Sequence, residues 1–200
     1  MRLPSIFVVV VIILSITFIS YSTIHEGKSV RGGVNAAVSS IAFSPSIRRV
    51  WINIGSHKDP IVPPEDETVV IAVEPVPDTA ILIPKHPNIF VVCAAIADTP
   101  GFAKFSIFNA GMSSSLAEPA IPTVNWAKAA HRGMLPPFII VPVLTLEQLL
   151  SAIPSSLSID FVKTDMQSYD LRAAKSASMA SFGRVRKYKA EVYWCVFFFA

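Results

Sequence analysis

The chain has 200 residues, 52% hydrophobic and 16% charged, with a formal net charge of +3. That length holds one core domain and a small appendage, and the charge is too small to mark a nucleic-acid surface, which needs lysine and arginine clustered on one face. The two cysteines, Cys93 and Cys195, lie in separate apolar runs and read as buried free thiols; no Cys/His pair has zinc-ligand spacing, so no metal site is expected.

Residues 1–24 form the first unit. From Leu3 to Ile24 there is no charged residue, and twenty-two residues rising about 1.5 Å each reach about 33 Å, enough to cross a hydrocarbon core. No polar face recurs at helical spacing, which argues against a helix of a soluble core. The competing reading is a cleaved signal peptide, with a small-x-small site at Ser20-Tyr21-Ser22; the length of the run favours a single-pass anchor. Arg2 stands on one side and Lys28 and Arg31 on the other, so the positive-inside rule leaves the orientation open. Residues 25–46, rich in Gly, Ser and Ala, read as a stem. A membrane location of endomembrane or Golgi type is expected, or secretion if the segment is cleaved.

Residues 47–200 carry the domain. Val50–Gly55, Thr68–Glu74 and Ile89–Ile96 are continuous apolar runs, as in strands buried on both faces of a parallel sheet. Ala103–Phe108 and Phe138–Val143 predict strands flanking an irregular insertion, in which Pro119, Pro122, Pro136 and Pro137 prevent long regular elements. Thr145 and Gln148 have capping-box spacing and open a helix through Leu149, Leu150 and Ile153. Ile159–Asp165 predicts a strand, Tyr169–Ala180 a helix, and Val185–Phe198 a last strand. The basic residues Arg184, Arg186, Lys187 and Lys189 read as a solvated strand edge. Strands alternating with helices predict an α/β domain with an open, doubly wound, mostly parallel, Rossmann-like sheet.

In such a sheet ligands bind beyond the carboxyl ends of the strands. Those ends carry Asn53-Ile54-Gly55-Ser56-His57, then Glu74, then Asp98, then Asp165. Glu74 follows Asn53 at about the twenty-residue interval that separates the first turn from a ribose-binding acid; an exposed acid ending a strand is the plainer alternative. Only Gly55 stands in the first turn, followed by Pro60, Pro63 and Pro64, so a pyrophosphate would lack a helix N-terminus and a dinucleotide is disfavoured. A phosphate-free nucleoside such as S-adenosylmethionine suffers less. Asp98 suits either an adenine amino group or a turn. Asp165 suits a general base or a helix N-cap, and His57 a base or a solvated loop residue. Ser113-Ser114-Ser115-Leu116 is a hydroxyl-rich loop or an ordinary turn.

The ordered pieces Trp51-Ile52-Asn53-Ile54-Gly55-Ser56, Ile71-Ala72-Val73-Glu74-Pro75, Ala94-Ala95-Ile96-Ala97-Asp98, Ser114-Ser115-Leu116, Thr145 to Leu150 and Ile159 to Asp170 resemble the FkbM-type methyltransferase domain, over about Val50 to Val192. The resemblance implies a class I methyltransferase fold and transfer of a methyl group from S-adenosyl-L-methionine to a hydroxyl of a sugar, lipid or small-molecule acceptor. It assigns Asn53, Gly55 and Ser56 to the methionine part of the cofactor, Glu74 to the ribose and Asp98 to the adenine end. Asp165 and His57 become the candidates for proton removal. Members of that family usually carry Asp at the position of Asn53, a second glycine near His57, Glu near Gln167 and Gly near Ser168. Asn53 and Gln167 keep hydrogen-bonding capacity and lose charge. The apolar run from Glu191 to Ala200 stops about where the fifth strand should end, so the domain is expected to be shortened at its C-terminal end.

Two other functions are open to the same residues. One is a membrane-anchored protein that keeps the fold without activity. The other is a membrane-anchored glycosyltransferase, against which Asp165-Met166-Gln167 lacks the second aspartate of a metal-binding Asp-x-Asp motif.

Overall fold

The computed structural model describes residues 43–107, 116, 138–167 and 169–191. The expected membrane segment, most of the stem, Ser113 to Ser115, nearly all of the insertion and the apolar run after Glu191 lie outside the described residues. Among the described residues no helix is long and apolar enough to cross a membrane.

The first strand, β1 (Arg49–Ile54), and the second, β2 (Thr68–Val73), pair in parallel, with Ile54 opposite Val73. Short helix α1 (Pro77–Ala80) follows, with proline in its first turn where a missing N–H costs nothing. Strand β3 (Ile89–Val92) lies parallel to β2 on its far side. Strand β7 (Ser158–Thr164) lies on the other side of β1, and β8 (Tyr188–Ala190) beside β7, again in parallel. The main sheet is therefore all-parallel, in the order β3-β2-β1-β7-β8. The chain is α/β, as the alternation of apolar runs predicts.

Alternation along the strands divides the core. Val50, Ile52 and Ile54 of β1 and Val69, Ile71 and Val73 of β2 face one side. There they meet Leu146, Leu149 and Leu150 of helix α2 (Leu146–Ser151) and Ala173 of helix α3 (Asp170–Lys175). Val70 and Ala72 face the other side and pack with Ala80, Ile83 and Trp51. Each fully buried Ile or Leu contributes about 1.5–3 kcal/mol, and all six residues of β2 are buried. β2 is consequently the strand that holds the two layers together.

A second sheet carries β4 (Ala95–Ile96), β5 (Gly101–Ser106) and β6 (Phe138–Leu144), in the order β4-β6-β5. The expected single strand from Ile89 to Ile96 is thus two strands in two sheets. Val73 is the last residue of β2 able to pair, opposite Val92. Beyond it, Pro75 ends β2, and Ala95 and Ile96 pair with Val143 and Leu144 of β6 instead. The strands flanking the insertion pair with each other, antiparallel, outside the main sheet.

The expected helix from Tyr169 to Ala180 is also divided, into α3 and a four-residue helix α4 (Met179–Phe182). Serines make the break. The Ser176 hydroxyl donates to the Ala173 carbonyl at 2.6 Å and accepts the Leu146 N–H at 2.9 Å, and Ser178 caps α4 by accepting the Ser181 N–H at 3.1 Å. Thr145 and Gln148 form the capping box of α2, with bonds of 3.1 and 3.0 Å.

Arg184 departs from the expected solvated edge. Its guanidinium donates to the carbonyls of Leu150 at 2.9 Å, Ile153 at 2.9 Å and Pro154 at 3.1 Å, closing the C-terminal end of α2. Arg186 pairs with Asp160 at 3.5 Å, and the Lys187 ammonium lies 5.6 Å from the Phe161 ring centre. Glu147 ties α2 to α4: its carboxylate accepts the Ser181 hydroxyl and the Ser178 N–H, both at 2.6 Å, and the Ser151 hydroxyl at 3.1 Å.

Two predictions follow from these ties. Arg184→Lys keeps the charge but cannot reach three carbonyls, and it lowers unfolding stability by about 1–3 kcal/mol in urea titrations. The hydrogen bonds on Glu147, the Ser181 hydroxyl first, hold its pKa at about 2 rather than 4.5. A depressed carboxyl pKa stabilises the fold above pH 4.5 and loses that contribution as pH falls toward 2. The stability advantage of the native chain over Glu147→Gln should therefore shrink between those limits; an advantage independent of pH would refute this origin.

Candidate functional site

Strand order reverses at β1: β2 and β3 lie to one side, β7 and β8 to the other. A crevice opens at such a switch point, beyond the carboxyl ends of the strands. Here it is lined by Ile54 and Gly55 after β1, Glu74 and Pro75 after β2, and Asp165, Met166 and Gln167 after β7. Ala94, Ala95, Ile96, Phe105, Leu116 and Tyr169 form the rest of the wall, and His57 stands at the polar end. The cleft is open to solvent and leaves about 120 Å³ of space that a water-sized group can enter.

The loop after β1 is fastened on both sides. Gly55 and Ser56 donate their N–H groups to the Val73 carbonyl at 2.9 and 3.2 Å, while the Asp165 N–H donates to the Ile54 carbonyl at 3.0 Å. Gly55 has φ +69, and a Cβ there would lie 1.9 Å from the Asp165 carbonyl oxygen. Only glycine fits where β1 and β7 come this close. His57 and Gln167, both on the cleft wall, also have left-handed backbones, with φ of 50 and 51. Such strain costs about 1–3 kcal/mol per residue and concentrates at functional sites.

Glu74 is 6% exposed. Its Oε2 accepts the His57 N–H at 2.9 Å and its Oε1 the Val76 N–H at 3.0 Å. Burial raises its pKa above the usual carboxylate value; the backbone bonds from Val76 and His57, then the charge of His57, oppose that rise. Each oxygen keeps a lone pair beyond the one it uses, so the carboxylate can accept from a ligand's hydroxyls. Burial, aided by the charge on Glu74, pushes the Cys93 thiol up to about 11, so it stays protonated and inert at neutral pH.

Asp165, about one-third exposed, accepts from Gln167 Nε2 at 3.2 Å on Oδ1 and faces Lys163 Nζ at 3.6 Å on Oδ2. It does not cap the next helix; α3 has no side-chain cap. Instead Asp170 Oδ2 accepts the Met166 N–H at 3.2 Å, shaping the turn between β7 and α3.

Of the residues singled out from sequence, Gly55, His57, Glu74 and Asp165 meet at the cleft. Asn53, Ser56 and Asp98 do not line it. Asn53 is 1% exposed and accepts the Ile61 N–H at 2.9 Å, holding the long β1–β2 connection against the sheet. Ser56 is buried behind the loop, 3.5 Å from the Val73 carbonyl. Asp98 is half exposed and lies 3.6 Å from Arg172, which in turn donates to the Tyr169 hydroxyl at 2.9 Å. Asp98 thus reaches the cleft only through Tyr169. Phe105, Leu116 and Tyr169 were not expected here as a wall. Phe105 faces inward by the two-residue period of β5, which sequence alone leaves ambiguous when the partner strand is unknown.

The cleft has a polar end with two carboxylates, and an apolar end of small and aromatic side chains. Its wall contains no lysine or arginine among the described residues. No cluster of three metal-ligating side chains occurs among them either. The geometry suits a ligand that is apolar and flat at one end, hydroxylated at the other, and positively charged or neutral.

Gly55→Ala brings a methyl group onto a backbone carbonyl at an unfavourable φ. It should lower unfolding stability by more than about 2 kcal/mol, read as a lower urea midpoint at unchanged slope. A fully tolerated alanine would mean that β1 and β7 are not packed this closely. The chain matches no protein-family model, no curated protein and no solved structure.

Proposed function

We propose that this chain is an S-adenosyl-L-methionine-dependent methyltransferase of the class I fold, acting on a hydroxyl of a sugar, lipid or small-molecule acceptor and tethered to a membrane by residues 1–24. The observation that carries the reading is the buried Glu74 carboxylate, bonded to the first loop at the polar end of a cleft whose described wall holds no lysine or arginine. Nucleotides and nucleotide sugars bring phosphates, which two carboxylates disfavour where the described wall offers no lysine, arginine or helix N-terminus to face them. S-adenosylmethionine brings none; it carries a sulfonium and an ammonium, for which Glu74 and Asp165 are complementary. The same argument disfavours a glycosyltransferase.

The residues present fit that cofactor. Glu74 has lone pairs for the ribose hydroxyls, the loop of Gly55 to His57 flanks the amino-acid end, and Ala94, Ala95, Ile96 and Phe105 offer apolar surface to a base. Bound there, the cofactor would supply an electrophilic methyl carbon to an acceptor oxygen. The chain's part is to orient the two reactants, to exclude water with Phe105, Leu116 and Tyr169, and to take the hydroxyl proton. Both Asp165 oxygens already have partners, in Gln167 and Lys163, which leaves His57 the better base.

One observation favours a second reading, a domain that binds the cofactor without turnover. Gln167 stands where the FkbM-type family usually carries a glutamate, and its amide occupies Asp165.

Calorimetry on the full chain in detergent tests the proposal. S-adenosylmethionine should bind, Glu74→Ala should weaken it about tenfold or more, equivalent to about 1.4 kcal/mol, and a nucleotide sugar should not bind. A folded chain that gives no heat with S-adenosylmethionine would remove the proposal. Binding without methyl transfer to any hydroxyl acceptor would select the second reading.

A further inference from the structure

The antiparallel pair β5–β6 has two unlike faces. Ala103, Phe105, Val141 and Val143 turn inward and form the core behind the cleft. On the outward face the register sets Phe102 opposite Pro142 and Lys104 opposite Ile140, and Phe138 stands opposite Ser106, which is itself buried. Phe102 is 38% exposed, Phe138 48% and Ile140 63%. The Lys104 ammonium lies 4.4 Å from the centre of the Phe138 ring. Among the described residues of the two strands there is no acidic side chain. Three large apolar side chains gathered on one side of a two-stranded pair are not the scattered exposure of an ordinary surface; they mark a contact.

We infer that this face rests on the surface of an anionic phospholipid bilayer. The inference rests on the reading of residues 1–24 as a membrane anchor. The run Leu3–Ile24 has no charge, and residues 25–42 that join it to the described domain span at most roughly 60 Å when fully extended. The domain is thereby confined within reach of the bilayer that holds the run. The face has the composition such a surface selects. Aromatic rings and an aliphatic side chain enter the headgroup boundary, while a lysine reaches phosphate and draws on the negative potential of anionic lipids. With Phe105 on the inner side of the same strand pair, β5–β6 separates the cleft from the membrane.

The test installs the photo-crosslinking residue p-benzoylphenylalanine at Ile140 in the full chain, reconstituted in vesicles of phosphatidylcholine and phosphatidylserine. The same residue is placed at Val10 in a second sample and at Met179, 89% exposed, in a third. Lipid adducts at Ile140, several-fold above those at Met179 and reduced in vesicles of phosphatidylcholine alone, are the expected result. Adducts at Val10 with none at Ile140 overturn the docking face and leave the anchor standing. Absence of lipid adducts at Val10 overturns the anchor and the docking face with it, while cofactor calorimetry still reports on the cleft. Cross-links from Ile140 to a second copy, or to the chain's own residues 108–137, assign the face to those occupants and overturn the proposal.

Discussion

A carboxylate kept out of water must be met by donors that cannot leave. Glu74 meets this requirement with two main-chain N–H groups, one from the loop after β1 and one from its own connection to α1. Because β1 and β2 end level with each other, at Ile54 and Val73, the next residues of both strands arrive together at the rim. Glu74 then locks the rim in place. The loop cannot swing away without leaving a buried charge unsatisfied, a loss far larger than an ordinary hydrogen bond. Glutamine would not replace it well, since one of its two terminal atoms is itself a donor and would face another donor.

The close approach of β7 completes the rim. Gly55 lets the Asp165 backbone come within bonding distance of Ile54, which brings a second carboxylate to the polar end of the cleft. Glu74 and Asp165 give the described wall of the cleft two carboxylates and no lysine or arginine, the character that the sulfonium-type charge we propose calls for. Lys163, behind Asp165, limits the repulsion between them.

Much of this arrangement was legible from sequence wherever burial on both faces leaves a mark. β2 is a nearly continuous apolar run, β1 is one but for Arg49 and Asn53, and β7 keeps Ile159, Phe161 and Val162 beside Asp160 and Lys163; the acids beyond their ends lie where the runs predict. The Thr145–Gln148 box is local chemistry and could be read directly. What escaped depends on partners distant in sequence. Ile89 to Ile96 looks like one strand, but β2 runs out at Val73 and the remainder finds another sheet. Arg184 looks like a surface charge until the end of α2, some thirty residues earlier, is brought beneath it. Asn53 carries the composition of a binding residue, yet it is buried off the cleft with its Oδ1 accepting the Ile61 amide. Asp98 falls short of the cleft because the strand before it is displaced into the second sheet.

The order of strands in the main sheet has a consequence for how the protein is made. β1 sits at the centre, and one of its two neighbours, β7, is synthesised roughly a hundred residues later. Until then β1 presents an open apolar edge, flanked by strands already assembled on its other side. The nascent chain therefore passes through a half-built sheet that is prone to self-association, and efficient maturation will depend on shielding that edge until the second half emerges.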